Sequence, residues 1–319
     1  MKNLILIVLL GAAIPAAAQT EAYPVRPVRL VVAFPPGGSV DSVARVIGPP
    51  LAAALGQPVI VENRSGASGN IGTELAARAK PDGYTLLIHT IPFVANAHLY
   101  KGMPYDPLKD FAPVSLLCSS PAVLIVHPSV PARSVAELLQ LAKSRPGALN
   151  YSAAGAGTNP HIAGELFNML GGVDIVAVQY KGGGPALVAV LGGEVGITFQ
   201  NISEAVPHVN GGRVRALGVT STKRSAALPG VPTLAESGVP GYEFTTWHGV
   251  LAPGRTPRDL VLLLNAKLKA VLHSPEVSAR FAQLGLDIIA SSPEEFSAHL
   301  KKEFDKWGRV VSERHMRVE

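Results

Sequence analysis

Apolar runs of strand length alternate along this chain with stretches of helical period, and glycine-rich turns join them. Val28 to Phe34 is apolar and closes on Pro35-Pro36-Gly37-Gly38. From Ser39 an apolar stripe of Val40, Val43, Ala44, Ile47 and Leu51 predicts a helix, which Pro49 and Pro50 should break or kink. Val59-Ile60-Val61 predicts a second strand, Gly66 to Gly72 leads into a short helix through Ala79, and Tyr84 to Ile88 predicts a third strand. Strand, glycine turn, helix, strand is the order of a parallel α/β unit.

The same order recurs further on. Val123 to Val126 predicts a strand, and Ser134-Val135-Ala136-Glu137 reads as a capping box. Strands follow at Leu149–Ser152 and Val173–Gln179, and each runs into a small-residue loop and then a helix, with Pro160 suited to a first helical turn. Glu194–Phe199 and Arg213–Val219 predict further strands. The end of the chain is helical: Thr256-Pro257, Ser274-Pro275 and Ser292-Pro293-Glu294-Glu295 each open a helix, and Val250-Leu251-Ala252 is placed to carry the chain back to the first unit. The expectation is two similar α/β lobes.

Met1-Lys2-Asn3, an apolar run from Leu4 to Ile14 and Ala16-Ala17-Ala18 read as an export signal over 1–18, cleaved near Ala18. The run is too short for a permanent bilayer span, and no cysteine near the cleavage point offers a lipid anchor. The single cysteine, Cys118, lies in an apolar context and reads as a small buried hydrophobe; no internal disulfide can form. These features point to a protein soluble in the periplasm of a Gram-negative bacterium. The net charge of +5 is scattered, without a dense basic cluster, so nucleic acid is not an expected partner.

The motifs of several chemistries are missing. The chain has no His-Glu-x-x-His, Cys-x-x-Cys, Gly-x-Ser-x-Gly or Walker A pattern, and Gly155-Ala156-Gly157-Thr158-Asn159-Pro160 lacks the last glycine of a dinucleotide loop. No catalytic residue, metal site or cofactor is expected. What stands out is a repeated loop design: Gly37-Gly38-Ser39, Ala67-Ser68-Gly69-Asn70, Ala154-Gly155 with Gly157-Thr158-Asn159, and Lys181-Gly182 all precede helices. A helix start has free N–H groups and a positive dipole end, and small residues let an anion approach the backbone. Such loops lie beyond the carboxyl ends of strands, where open α/β sheets bind ligands. Phe34 either packs on an apolar part of the ligand or joins the core. Asp41 belongs with its helix start more than with an anion, and His161 either touches the ligand or packs.

At these residues the sequence resembles the substrate-binding receptors of tripartite tricarboxylate transporters, the Bug family. The resemblance is carried by Phe34-Pro35-Pro36-Gly37-Gly38 with Asp41, Val61-Glu62-Asn63-Arg64-Ser65-Gly66-Ala67, Pro81-Asp82-Gly83-Tyr84, Tyr151-Ser152-Ala153-Ala154-Gly155, His161-Ile162-Ala163-Gly164-Glu165 and Tyr180-Lys181-Gly182, with Arg215–Thr220 and Val231–Glu236 after them. It implies a type II periplasmic-binding-protein fold, with lobe 1 over 23–122 plus 248–319 and lobe 2 over 123–247. A small carboxylate would sit in the cleft between them, held by the loops at 37–41 and 66–70 and closed on by those at 154–159 and 180–184 and by Gln200. Where many relatives carry an aspartate near this last position, the chain has Gln200-Asn201, which favours a plain acid or amide over a cationic ligand; Thr158 keeps the hydroxyl of the serine common there. The implied molecule is a monomer that passes its ligand to membrane transporter subunits. Alternatives are a receptor that signals to a membrane sensor, or a secreted α/β hydrolase or isomerase, for which a pair such as Ser68 with His161 would be the sign.

Overall fold

Val28–Val32 (β1) is buried except at Arg29 because it lies between two parallel neighbours, β2 (Val59–Asn63) and β3 (Thr85–His89). The computed structural model describes residues 23–314 and 316; the expected export signal lies outside them. Register sets Val32 beside Asn63 and Ile88, so the segments that follow all three strands emerge at one edge. Helix α1 (Ser39–Leu55) follows β1, α2 (Asn70–Ala77) follows β2, and α3 (Pro92–Leu99) follows β3. Helix α1 runs through Pro49 and Pro50 instead of breaking there. Its buried stripe, from Val40 through Ile47 to Leu55, packs on the core, and tertiary packing of this kind outweighs two lost backbone bonds.

The sixteen-residue strand β4 (Phe111–Val126) joins the two halves of the molecule. The expectation covered only its apolar end, because Pro113, Pro121 and a run of serines mask the remainder. Beyond it come α4 (Val135–Ser144), β5 (Asn150–Ala153), α5 (Asn159–Gly171), β6 (Val176–Gln179), α6 (Gly183–Leu191), β7 (Ile197–Asn201), α7 (Ile202–Asn210) and β8 (Arg215–Val219). Strands β5, β6 and β7 are parallel, and their following loops again leave one edge together. The chain returns through β9 (Thr245–Pro253), antiparallel to β3 and to the first part of β4, while β7 and β8 pair with the second part of β4. Helices α8 (Arg258–Leu272) and α9 (Pro275–Gln283), the short strand β10 (Asp287–Ile288) and α10 (Pro293–Glu313) complete the fold.

This is an α/β molecule of two lobes, each a sheet covered by helices, with the switch between them in β4 and β9. One apolar core lies under α1, α8 and α9 of the first lobe, and another beneath α6 and α7 of the second. A third runs continuously from Phe93 and Phe111 through Trp247 and Trp307 to Tyr151, Phe167 and Phe199. The lobes therefore share packing around the crossing strands. Helix α10 reinforces the junction: Glu303 accepts from Trp247 Nε1 (3.1 Å) and Trp307 Nε1 (2.7 Å), and Arg314 pairs with Glu165 of α5 at 3.0 Å. The expected capping box is present at Ser292 and Glu295. At Ser134 the hydroxyl caps as expected, but the Glu137 carboxylate reaches the Arg133 N–H. Among the described residues no helix is long and apolar enough to cross a membrane.

Candidate functional site

Besides α3 and α7, whose starts at Pro92 and Asn201 border it, four helices start around one cavity of about 540 Å³ between the lobes. They are α1 at Gly38 and α2 at Gly69 from the first lobe, and α5 at Thr158 and α6 at Gly182 from the second; none of the four has a side-chain cap. The three serine-capped helices, α4, α9 and α10, start elsewhere. An uncapped start leaves backbone N–H groups and the positive end of the helix to whatever lies in front of it. Four such starts facing one space make an anion-receiving cavity that needs no arginine. Its lining carries two charged side chains, Lys181 and Glu204.

The first-lobe wall includes a strained turn. Gly66, Ala67, Ser68 and Gly69 have φ of 135°, 46°, 53° and 97°, and left-handed backbone is unfavourable for alanine and serine. The surroundings hold it in place. Asn96 Nδ2 donates to Ser68 O (3.1 Å), Tyr100 OH donates to Ser68 Oγ (3.1 Å), and Ser68 Oγ donates across the cleft to Ala156 O (2.5 Å). A side chain at Gly69 would collide with His89, whose Nε2 lies 2.7 Å from where a Cβ would stand. Burial pushes the His89 imidazole down to about 4, so it packs there neutral, edge-on to Phe34.

Most of the residues expected at the site line this cavity. Phe34, Gly37, Gly38 and Ser39 form one stretch of wall, and Ala67, Ser68 and Gly69 the next. Ala154, Gly155, Thr158 and Asn159 face them from the second lobe, with Lys181, Gly182 and Gln200. The Thr158 hydroxyl donates to Gly155 O (2.6 Å), so it stiffens the loop and leaves its own helix start open.

Four expected residues stand outside the lining. Asp41 is buried behind the first loop, where it accepts from Gly37 N (2.9 Å), Arg45 Nε (2.8 Å) and Asn63 Nδ2 (2.9 Å). Burial pulls its carboxyl upward, but Arg45, the Gly37 N–H and Asn63 together hold it below the usual carboxylate range. It is a neutralised brace. Asn70 is a brace as well: its Oδ1 accepts from Asn96 Nδ2 and Tyr105 OH, both at 2.8 Å. Gly157 (φ 77°) packs against Leu99 and Asn96 of the opposite lobe, because any Cβ there would stand 2.6 Å and 2.8 Å from them. His161 turns away from the cavity and accepts the Gly157 N–H at Nδ1 (3.0 Å). With Ser68 bonded to Ala156 O, the Ser68–His161 pair that a hydrolase would use is not formed.

The sequence reading missed three contributors. Asn96 and Tyr100 belong to or follow α3, which is apolar on nearly every side and shows no helical period. Glu204 lies on α7, one turn beyond Gln200, and the four-residue spacing was the available signal. Gln200 Nε2 donates to its carboxylate, and the Asn201 amide and the Ser39 N–H of the other lobe also face it. Burial pushes this carboxyl up to about 7, against the lowering pull of those donors.

A family profile described as "Tripartite tricarboxylate transporter family receptor" matches residues 43–316. The Protein BugT of Bordetella pertussis is 38% identical over 305 residues, 95% of this chain and 93% of its own. Among solved structures, Rpa4515 of R. palustris with adipate is 38% identical with a TM-score of 0.88, covering 93% of this chain and all of that one. MatC of Rhodopseudomonas palustris with bound malate is 35% identical with a TM-score of 0.86, covering 91% of this chain and all of that one.

Proposed function

The chain belongs to the tripartite tricarboxylate transporter receptor family, and from that premise we propose that it captures a small carboxylic acid between its lobes and presents it to membrane subunits for uptake. One observation carries the reading: four uncapped helix starts, two from each lobe, surround a single cavity whose lining has one cation and no arginine. The ligand class is supported by adipate and malate in the two solved relatives. The chain works in the periplasm, exported by the segment at 1–18, as a monomer. Its first lobe is 23–122 with 248–319, and its second is 123–247.

Binding and closure are one equilibrium on this account. The start of α1, beyond the N–H groups that Gly37 gives to Asp41 and Ser39 to Glu204, and the loop at 66–70 receive the carboxylate through backbone N–H groups. The second lobe then closes with the loops at 154–159 and 181–184 and with Gln200. Bonds that cross the cleft, Ser68 Oγ to Ala156 O and Asn159 Nδ2 to Thr90 Oγ1 (3.4 Å), belong to the closed form. A ligand that touches both lobes favours that form by its differential affinity. Membrane subunits recognise the closed shape, and no bond is made or broken in the ligand. Calorimetric titration of ligand-stripped protein with small acids and their methyl esters tests this. Heat from an acid and none from its ester supports the reading; equal binding of the ester refutes it.

A further inference from the structure

Both lobes present helix starts to the cavity, but the second lobe adds a cluster of side-chain acceptors, Gln200, Glu204 and Asn159. Gln200 is 1% exposed, and with its Nε2 given to Glu204 its Oε1 has no partner. The Thr246 hydroxyl donates to Asn201 Oδ1 (3.2 Å), which leaves the Asn201 N–H groups for Glu204. The same Thr246 oxygen accepts from Asn159 Nδ2 (3.3 Å), which fixes that amide and leaves Asn159 Oδ1 buried without a partner. An ionised carboxylate has about four acceptor positions. Gln200 Nε2 donates to Glu204, and the Asn201 amide and the Ser39 N–H face the same carboxylate, which keeps room for a further donor.

Resting on the carboxylate-receptor reading, we propose that Glu204 selects the far end of the ligand, and that the ligand is a monocarboxylic acid whose other end carries an O–H or N–H donor. Hydroxyl, primary amide and ammonium ends share this chemistry. A second carboxylate is disfavoured. With Glu204 ionised it would meet that carboxylate and the Gln200 and Asn159 oxygens with no proton between them, and Lys181, the one cation in the lining, is exposed to solvent. This reverses the preference implied by Gln200 and Asn201 alone, because both amides are committed to orienting Glu204.

Calorimetry at pH 8, above the Glu204 value of about 7, tests the proposal on ligand-stripped protein and on Glu204→Gln. The probes are succinate, its monoamide, 4-hydroxybutyrate and 4-aminobutyrate, and the six-carbon series of adipate, its monoamide, 6-hydroxyhexanoate and 6-aminohexanoate. We expect at least one donor-ended acid to bind the unsubstituted protein tenfold or more tightly than the dicarboxylate of equal length. Glu204→Gln should remove most of that preference while tightening the dicarboxylate. Dicarboxylates that bind as well as every donor-ended partner, or a preference that survives in folded Glu204→Gln, overturn this inference and leave the receptor reading standing. If no acid of either series, nor any other small carboxylate, binds either protein, the receptor reading fails and takes this inference with it. The selectivity of the unsubstituted protein decides the matter even where the variant folds poorly.

Discussion

Replacing Gly157 with alanine should weaken ligand binding far more than it unfolds the protein. Two costs can be separated. The first is backbone: an L-residue at φ 77° costs about 1–2 kcal/mol, whether the lobes are apart or together. The second arises only when they meet, because the new Cβ stands 2.6 Å from Leu99 Cδ1 and 2.8 Å from Asn96 Oδ1 in the opposite lobe. Neither neighbour can yield easily. Leu99 is 3% exposed, and the Asn96 side chain is held by Ser68 O and Asn70 Oδ1. Overpacking of this kind costs about 1–3 kcal/mol, roughly a five- to 150-fold loss of closing tendency, since 1.4 kcal/mol is tenfold. Titration of the folded variant with the acid that binds best should show a Kd raised by at least about fivefold, while the ligand-free protein melts a few degrees lower. Gly38→Ala is the comparison: φ there is −80°, and its Cβ would meet only Pro35 O at 3.7 Å, so it leaves lobe contact intact and acts only by crowding the ligand. An unchanged Kd in folded Gly157→Ala would refute the reasoning that the 154–158 loop closes on α3.

Three further outcomes follow from the braces. Ser68→Ala removes the cleft-crossing bond to Ala156 O and the acceptor for Tyr100 OH; at about 0.5–1.5 kcal/mol for the bond between the lobes, affinity should fall about two- to twelvefold, and calorimetry that finds it unchanged contradicts the latch. Asp41→Ala strips the Gly37 N–H and the Asn63 amide of their acceptor and should cost about 1–3 kcal/mol in urea unfolding; a loss below about 0.5 kcal/mol would count against the brace, being no more than an ordinary surface change. Melting temperature should fall as pH drops from 6.5 towards 4, because burial holds His89 and His248 at about 4 and for these two groups the unfolded chain binds protons first, which outweighs the opposite pull of Glu204, held up to about 7. Asp41 acts lower: its stabilisation is present above the ordinary value of 3.8 and is lost as pH falls through its depressed folded value. A melting temperature flat between pH 6.5 and 4.5 would contradict the buried neutral histidines.

The site was legible in the sequence where its chemistry is local. Gly37-Gly38, Ala67-Ser68-Gly69, Gly155 and Gly182 announce close backbone approach by their small size, and fourteen of the eighteen residues expected to bind line the cavity. The exceptions failed for a common reason. Asp41, Asn70, Gly157 and His161 sit in the right loops, but whether a loop residue faces the cavity or props the loop from behind depends on partners such as Asn63, Asn96 and Leu99, distant in the chain. Helix α3 and most of β4 were invisible because a segment buried on every side loses its period, and because Pro113 and Pro121 read as breaks. Glu204 was legible only as a spacing. Its importance comes from the Ser39 N–H that the folded molecule sets before it.

Hydrogen exchange at the helix starts, measured with and without the tightest-binding acid, tests the central claim most directly. Capture by backbone N–H groups from both lobes predicts slowed exchange in all four segments, 38–40, 67–70, 155–159 and 182–184, with the serine-capped starts at 134–137, 274–277 and 292–295 unchanged. Protection confined to one lobe, or spread equally over capped and uncapped starts, would contradict it.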